Sequence, residues 1–101
     1  MIVSGGENVY PAEIEDLLSS HPRVADVAVV GVPDERFGQA LKAFVVKRGT
    51  LSEEEVKSHV RSNLARFKIP REVEFVKELP RNATGKVLRR ELAELRRPGA
   101  A

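Results

Sequence analysis

Residues 24–47 read VADVAVVGVPDERFGQALKAFVVK. Val24 to Val32 is β-branched and almost wholly apolar, the pattern of a buried strand. Pro33-Asp34 through Gly38 carries turn formers. Ala40 to Val46 or Lys47 is again apolar and predicts a second strand, antiparallel to the first. Gly49-Thr50 ends it.

On the N-terminal side, Ser4-Gly5-Gly6-Glu7-Asn8 reads as a turn or loop. Pro11 suits the first position of a helix. Glu13, Glu15 and Asp16 put negative charge at its positive end. Ile14, Leu17 and Leu18 form its apolar stripe, with Tyr10 packing on Ile14 as a staple. His21-Pro22 ends this helix near residue 20.

On the C-terminal side, Ser52 and Glu55 form a capping box. Val56, Val60 and Leu64 follow on one face, in a helix running to about Ala65, and Pro70 bars its continuation. Glu72 to Val76 alternates, with Val73 and Phe75 on one side and Glu72 and Glu74 on the other. That predicts a half-exposed strand whose acids are solvated. Leu79-Pro80 through Gly85 is a polar loop. Lys86 to about Arg96 reads as a last helix with Leu88, Leu92 and Leu95 inward, and residues 98–101 as a frayed tail. The resulting class is α+β: a small three-stranded, largely antiparallel sheet with helices packed on it.

At 101 residues and 42% hydrophobic, the chain has the length and apolar content for one small core. An active site with its own pocket is hard to house in it. With no cysteine, disulfides, thiolate zinc and thiol catalysis are excluded. A reducing, cytoplasmic setting fits this. No apolar run approaches the ~20 residues of a membrane span.

The net charge of +2 is uneven: residues 1–50 hold five basic and seven acidic residues, and residues 51–101 hold twelve and eight. A positive C-terminal end fits an anionic partner, although a solvated helix face explains such a run equally simply. Nucleic acid is the weakest such partner, because aromatic residues do not interleave the basic ones. His21 and His59 are too few and too far apart in sequence to predict a metal site.

Two loops carry possible chemistry. In Ser4-Gly5-Gly6-Glu7, paired glycines allow close approach of bare backbone to another surface. In Leu79-Pro80-Arg81-Asn82-Ala83-Thr84-Gly85-Lys86, a lysine follows a glycine where loop meets helix. A lysine there is a mobile point charge that can meet developing negative charge, and the helix's first amides can add to its field. Taken singly, either loop is also an ordinary turn.

Together, SGGENVYPAEIE, GVPDERFGQALKAFVV, LARFKIP and LPRNATGKVLRREL resemble, in that order, the C-terminal domain of adenylate-forming enzymes. These are the acyl-CoA and aryl-CoA synthetases, nonribosomal peptide synthetase adenylation domains and firefly luciferase. The resemblance spans nearly the whole chain, and SGGENVYP with PRNATGK looks most like a fatty-acid or other carboxylate–CoA ligase.

The resemblance implies that residues 1–97 are a mobile lid, partnered by a large N-terminal adenylation domain. ATP and CoA would be substrates beside a carboxylic acid, with Mg2+ bound mainly through the large domain. Lys86 would be the adenylation lysine. Ser4, Gly5 and Gly6 would line the pantetheine path, and Glu7 would face the large domain. Arg81 stands where the family often has lysine and keeps the charge. Arg89 and Arg90 could meet phosphates of a nucleotide or CoA, but a solvated face is the expectation for each. The family's hinge residue falls just before the segment matching Met1, so an excised or separately encoded domain, inactive alone, is expected. The alternative is a standalone binding or interaction module that reuses the fold.

Overall fold

The computed structural model describes residues 2–4, 7–34, 38–64, 68–88 and 91–92. A short hairpin comes first: β1 (Ile2–Ser4) pairs antiparallel with β2 (Glu7–Val9). This segment therefore holds two strands where the sequence predicts a turn or loop. β-Branched residues on either side of a two-residue Gly-Gly connection are a hairpin signal, but three-residue arms are too short to show alternation. Ile2 and Val9 are register partners, and both are buried in the main core.

α1 (Pro11–Ser19) starts with Pro11 in its first turn and ends at Ser20, whose hydroxyl donates to the Leu17 carbonyl. Ile14 and Leu18 are fully buried. Tyr10 is the N-cap and is 57% exposed.

β3 (Val24–Asp34) and β4 (Gly38–Lys47) form the long antiparallel ribbon that the opening stretch predicts. α2 (Glu53–Asn63) begins with the predicted capping box. The Glu55 amide donates to Ser52 Oγ at 3.1 Å, and the Ser52 amide to Glu55 Oε1 at 3.2 Å. β5 (Glu72–Phe75) then joins β4 in parallel.

The three-stranded sheet, in the order β3-β4-β5, is therefore largely antiparallel as expected but mixed rather than purely so, with β5 as its one parallel strand. The reason lies in connectivity. A helix between two neighbouring strands carries the chain back to the same end of the sheet, so the second strand runs parallel to the first.

Both faces of the sheet are covered. Val27, Val29, Leu41, Ala43, Val45 and Val73 pack with Ile14 and Leu18 of α1 and Val56 and Val60 of α2. On the other face Ala28, Val30 and Phe44 pack with Leu79 and Leu92. β3 is an edge strand, and Glu15 of α1 covers part of that edge by accepting the Val29 N–H at 2.8 Å.

The last helix begins later than Lys86, where the sequence places its start. Residues 86–88 are not helical; Val87 bridges back to Arg81, and the Leu88 amide donates to the Pro80 carbonyl at 2.9 Å. Residues 91–92 are helical, and Leu92 is buried as expected. Leu95 and the tail lie outside the described residues. Among those described, no helix is long and apolar enough to cross a membrane.

Candidate functional site

Residues 80–88 fold back on themselves. The Gly85 amide donates to the Asn82 carbonyl at 3.0 Å, closing a turn over Asn82-Ala83-Thr84-Gly85. Asn at the first position and Gly at the fourth are what a type I turn favours. Gly85 has φ of +85°, the left-handed state that lets a hairpin limb leave a type I turn.

The Asn82 side chain completes the loop. Its Oδ1 accepts from the Thr84 amide at 3.0 Å, the Thr84 hydroxyl at 2.7 Å and the Lys86 amide at 3.0 Å. The Asn82 amide donates to the Lys86 carbonyl at 2.9 Å. Lys86 thus sits on the return limb of a hairpin, not at a helix N-terminus. Among the described residues no row of free helix amides surrounds it: the amides of Thr84, Gly85 and Lys86 all donate to Asn82. Its side chain is exposed, and among the described residues no ion pair holds its ammonium.

The loop is fixed to the sheet through Arg81. Its guanidinium donates to the Gly85 carbonyl at 2.8 Å and forms a short ion pair with Asp26. Asp26 follows a bulge: Val24 pairs with Lys47 and Asp26 with Val46, so Ala25 is an extra residue. Asp26 Oδ1 takes the Val27 amide, leaving Oδ2 for Arg81. The two side chains are 35% and 41% exposed, so the pair contributes no more than about 1 kcal/mol to stability. Its consequence is placement.

The N-terminal hairpin sits elsewhere. The Val3 amide donates to Gln39 Oε1 at 3.2 Å, and Ile2 lies against Gly31. Asp26 and Gly31 are five residues apart on β3, about 17 Å at the rise of an antiparallel strand. The fold therefore does not bring the β1–β2 strands and the Lys86 loop together; it puts them towards opposite ends of one ribbon. Ser4 and Glu7 are register partners at the closed end of the β1–β2 pair. Gly5 and Gly6, and also Arg89 and Arg90, lie outside the described residues.

Tertiary structure joins other residues that sequence distance separates. The rings of His21 and His59 meet edge to face at 5.1 Å, beside a groove of about 450 Å³ lined also by Ser52, Glu55 and Ser58. Among the described residues, no three His, Asp or Glu side chains are grouped to hold a metal. Lys42, only 4% exposed, lies 3.0 Å from Glu74 and 3.8 Å from Glu72. The glutamates of β5 therefore face a buried cation across the sheet rather than water alone.

Of the loop's framework, the Asn-x-Thr-Gly turn composition is visible in the sequence. Asp26 gives no local signal, since it lies 55 residues from Arg81.

A family model described as the AMP-binding enzyme C-terminal domain matches residues 13–86, with Lys86 as the last matched residue. A 2-succinylbenzoate–CoA ligase of Bacillus cereus is 53% identical over 95 residues, 94% of this chain and 20% of that protein. A fatty acyl CoA synthetase from Mycobacterium tuberculosis superposes with a TM-score of 0.89 at 47% identity, covering 93% of this chain and 19% of that one. The o-succinylbenzoate CoA synthetase of Bacillus subtilis, solved as a double mutant with a product analogue, gives 0.88 at 41% identity over 94% of this chain and 20% of its own. The chain thus spans about a fifth of the length of the relatives it matches.

Proposed function

The chain belongs to the AMP-binding enzyme C-terminal domain family, and on that premise we propose that it serves as the mobile domain of an ATP-dependent carboxylate–CoA ligase. The partner is a large N-terminal domain that binds ATP, the carboxylic acid and most of the Mg2+ coordination. The first half-reaction joins the carboxylate to the α-phosphorus of ATP and releases pyrophosphate. In the second, the CoA thiol attacks the acyl carbonyl and AMP leaves.

Lys86 acts in the first step. Carboxylate and α-phosphate are both anionic, and negative charge concentrates on their oxygens as they approach. A positioned ammonium reduces that repulsion and favours the transition state more than the separated substrates. Ser4, Gly5 and Gly6 serve the second step by flanking the pantetheine arm, and Glu7 faces the large domain in that pose. The acid is selected by the large domain. Ligases of 2-succinylbenzoate and of fatty acids among the relatives support the wider class of acyl substrates.

The observation that carries this reading is the placement of the β1–β2 strands and the Lys86 loop towards opposite ends of the β3–β4 ribbon, with the Lys86 side chain exposed. A domain with two separated working edges can serve two half-reactions by presenting each edge in turn. The test is Lys86→Ala in the complete ligase. Adenylate formation is expected to fall by about 10²–10³-fold or more. Thioester formation from supplied acyl-adenylate is expected to persist. Unchanged adenylate formation would remove the role. Mixing this chain with a separately expressed large domain is expected to restore turnover, whereas binding without turnover would favour an interaction module.

A further inference from the structure

Both main-chain polar groups of Lys86 are bonded to one residue. Its N–H donates to Asn82 Oδ1, and its C=O accepts from the Asn82 amide. The same Oδ1 also takes two donors from Thr84, so the carboxamide sits at the centre of the turn. The neighbouring Arg81 ties the turn to the sheet by bonding the Gly85 carbonyl on one side and Asp26 on the other. The result is a lysine with a fixed backbone and an exposed side chain.

We infer that Asn82 is a positioning residue for Lys86, and that the Arg81–Asp26 pair anchors that unit to β3. This inference rests on the adenylation role of Lys86 and extends it to residues that touch no substrate. The physical case concerns reach. A lysine side chain has several rotatable bonds, so a loop that also moved would spread its ammonium over a large volume. Holding the backbone confines that volume to the side chain's own rotamers. Misplacement by about 1 Å can cost a catalytic group about 10²-fold. The inference concerns the first half-reaction only, because the β1–β2 hairpin lies at the other end of the ribbon.

The test compares half-reactions in the complete ligase. Asn82→Ala is expected to slow acyl-adenylate formation by about ten- to hundredfold, with thioester formation from preformed adenylate changed by less than about twofold. Asn82→Asp keeps an acceptor oxygen at the same place and is expected to recover most of the lost rate. Asp26→Ala and Arg81→Ala are each expected to slow adenylation. The double variant should be no slower than the worse single, since either change releases the same anchor.

Unchanged adenylation in Asn82→Ala would overturn the inference. Equal loss of both half-reactions would also overturn it, because a destabilised domain and not a misplaced lysine would then explain the effect. No recovery in Asn82→Asp would count against it in the same way. Lys86→Ala, run in parallel, separates the two levels. If it loses adenylation and Asn82→Ala does not, positioning fails alone; if it keeps adenylation, the lysine role fails too.

Discussion

Lys42 of β4 reaches across the sheet to Glu74 of β5, with 3.0 Å between its ammonium and the carboxylate. The lysine side chain is 5% exposed and the glutamate 24%, and the ammonium lies 4.8 Å from the centre of the Phe44 ring. A buried cation without its acids would be costly, so this parallel pairing is matched in charge as well as in shape.

Lys42→Met is expected to lower unfolding stability by about 1–3 kcal/mol, because it removes the cation from partly buried acids. Urea unfolding of the 101-residue chain measures it. Unchanged stability would show that the charge match contributes nothing net.

Gly85→Ala should destabilise the Lys86 loop by about 1 kcal/mol. A Cβ at Gly85 would meet no atom within 4 Å, so the whole cost comes from the φ of +85°. Asn, which tolerates this region better, should be milder at the same position. A comparison of the two variants by thermal melting checks the order, and equal melting temperatures would contradict it.

Ser52→Ala is expected to cost about 1 kcal/mol by leaving the Glu55 amide without its acceptor. Ser52→Asp retains an acceptor and should be close to neutral. Denaturant midpoints of the two variants decide this, and a midpoint for Ser52→Ala equal to that of the parent would speak against it.

Gly31→Ala is expected to loosen the N-terminal hairpin. The new Cβ would lie 3.1 Å from Ile2 Cγ2 and 3.0 Å from the Gln39 side chain. Ile2 and Gln39 must both give way, and Gln39 accepts the Val3 amide. Amide exchange at Val3 should therefore quicken, while the Lys86 amide at the far end of the ribbon keeps its protection. Equal changes at both would contradict the separation of the two loops.

Local patterns carry much of the fold. Val24–Val32 and Ala40–Val46 announce their strands because buried strands need apolar residues at nearly every position. Ser52 and Glu55 announce a helix start because the orphan amides of a first turn need acceptors within reach of the chain itself. The Lys86 loop is legible as a polar glycine-containing segment but not as a hairpin. Leu88 and Leu92 show helical spacing, and that spacing holds whether the helix starts at Lys86 or after it. The β1–β2 pair escapes a sequence reading because its arms are three residues long.

The longer strands, the capped helix and their core positions are written in the chain, since each depends on residues within a turn or two of one another, and the family resemblance is written there in four ordered blocks. The parallel run of β5, the Lys42–Glu74 pair, the meeting of His21 with His59 and the anchoring of Arg81 on Asp26 come only with the folded arrangement. Each of these joins residues far apart in the chain. Such contacts depend on how helices and strands stack, and a one-dimensional pattern holds no record of which distant polar group will complete a given charge.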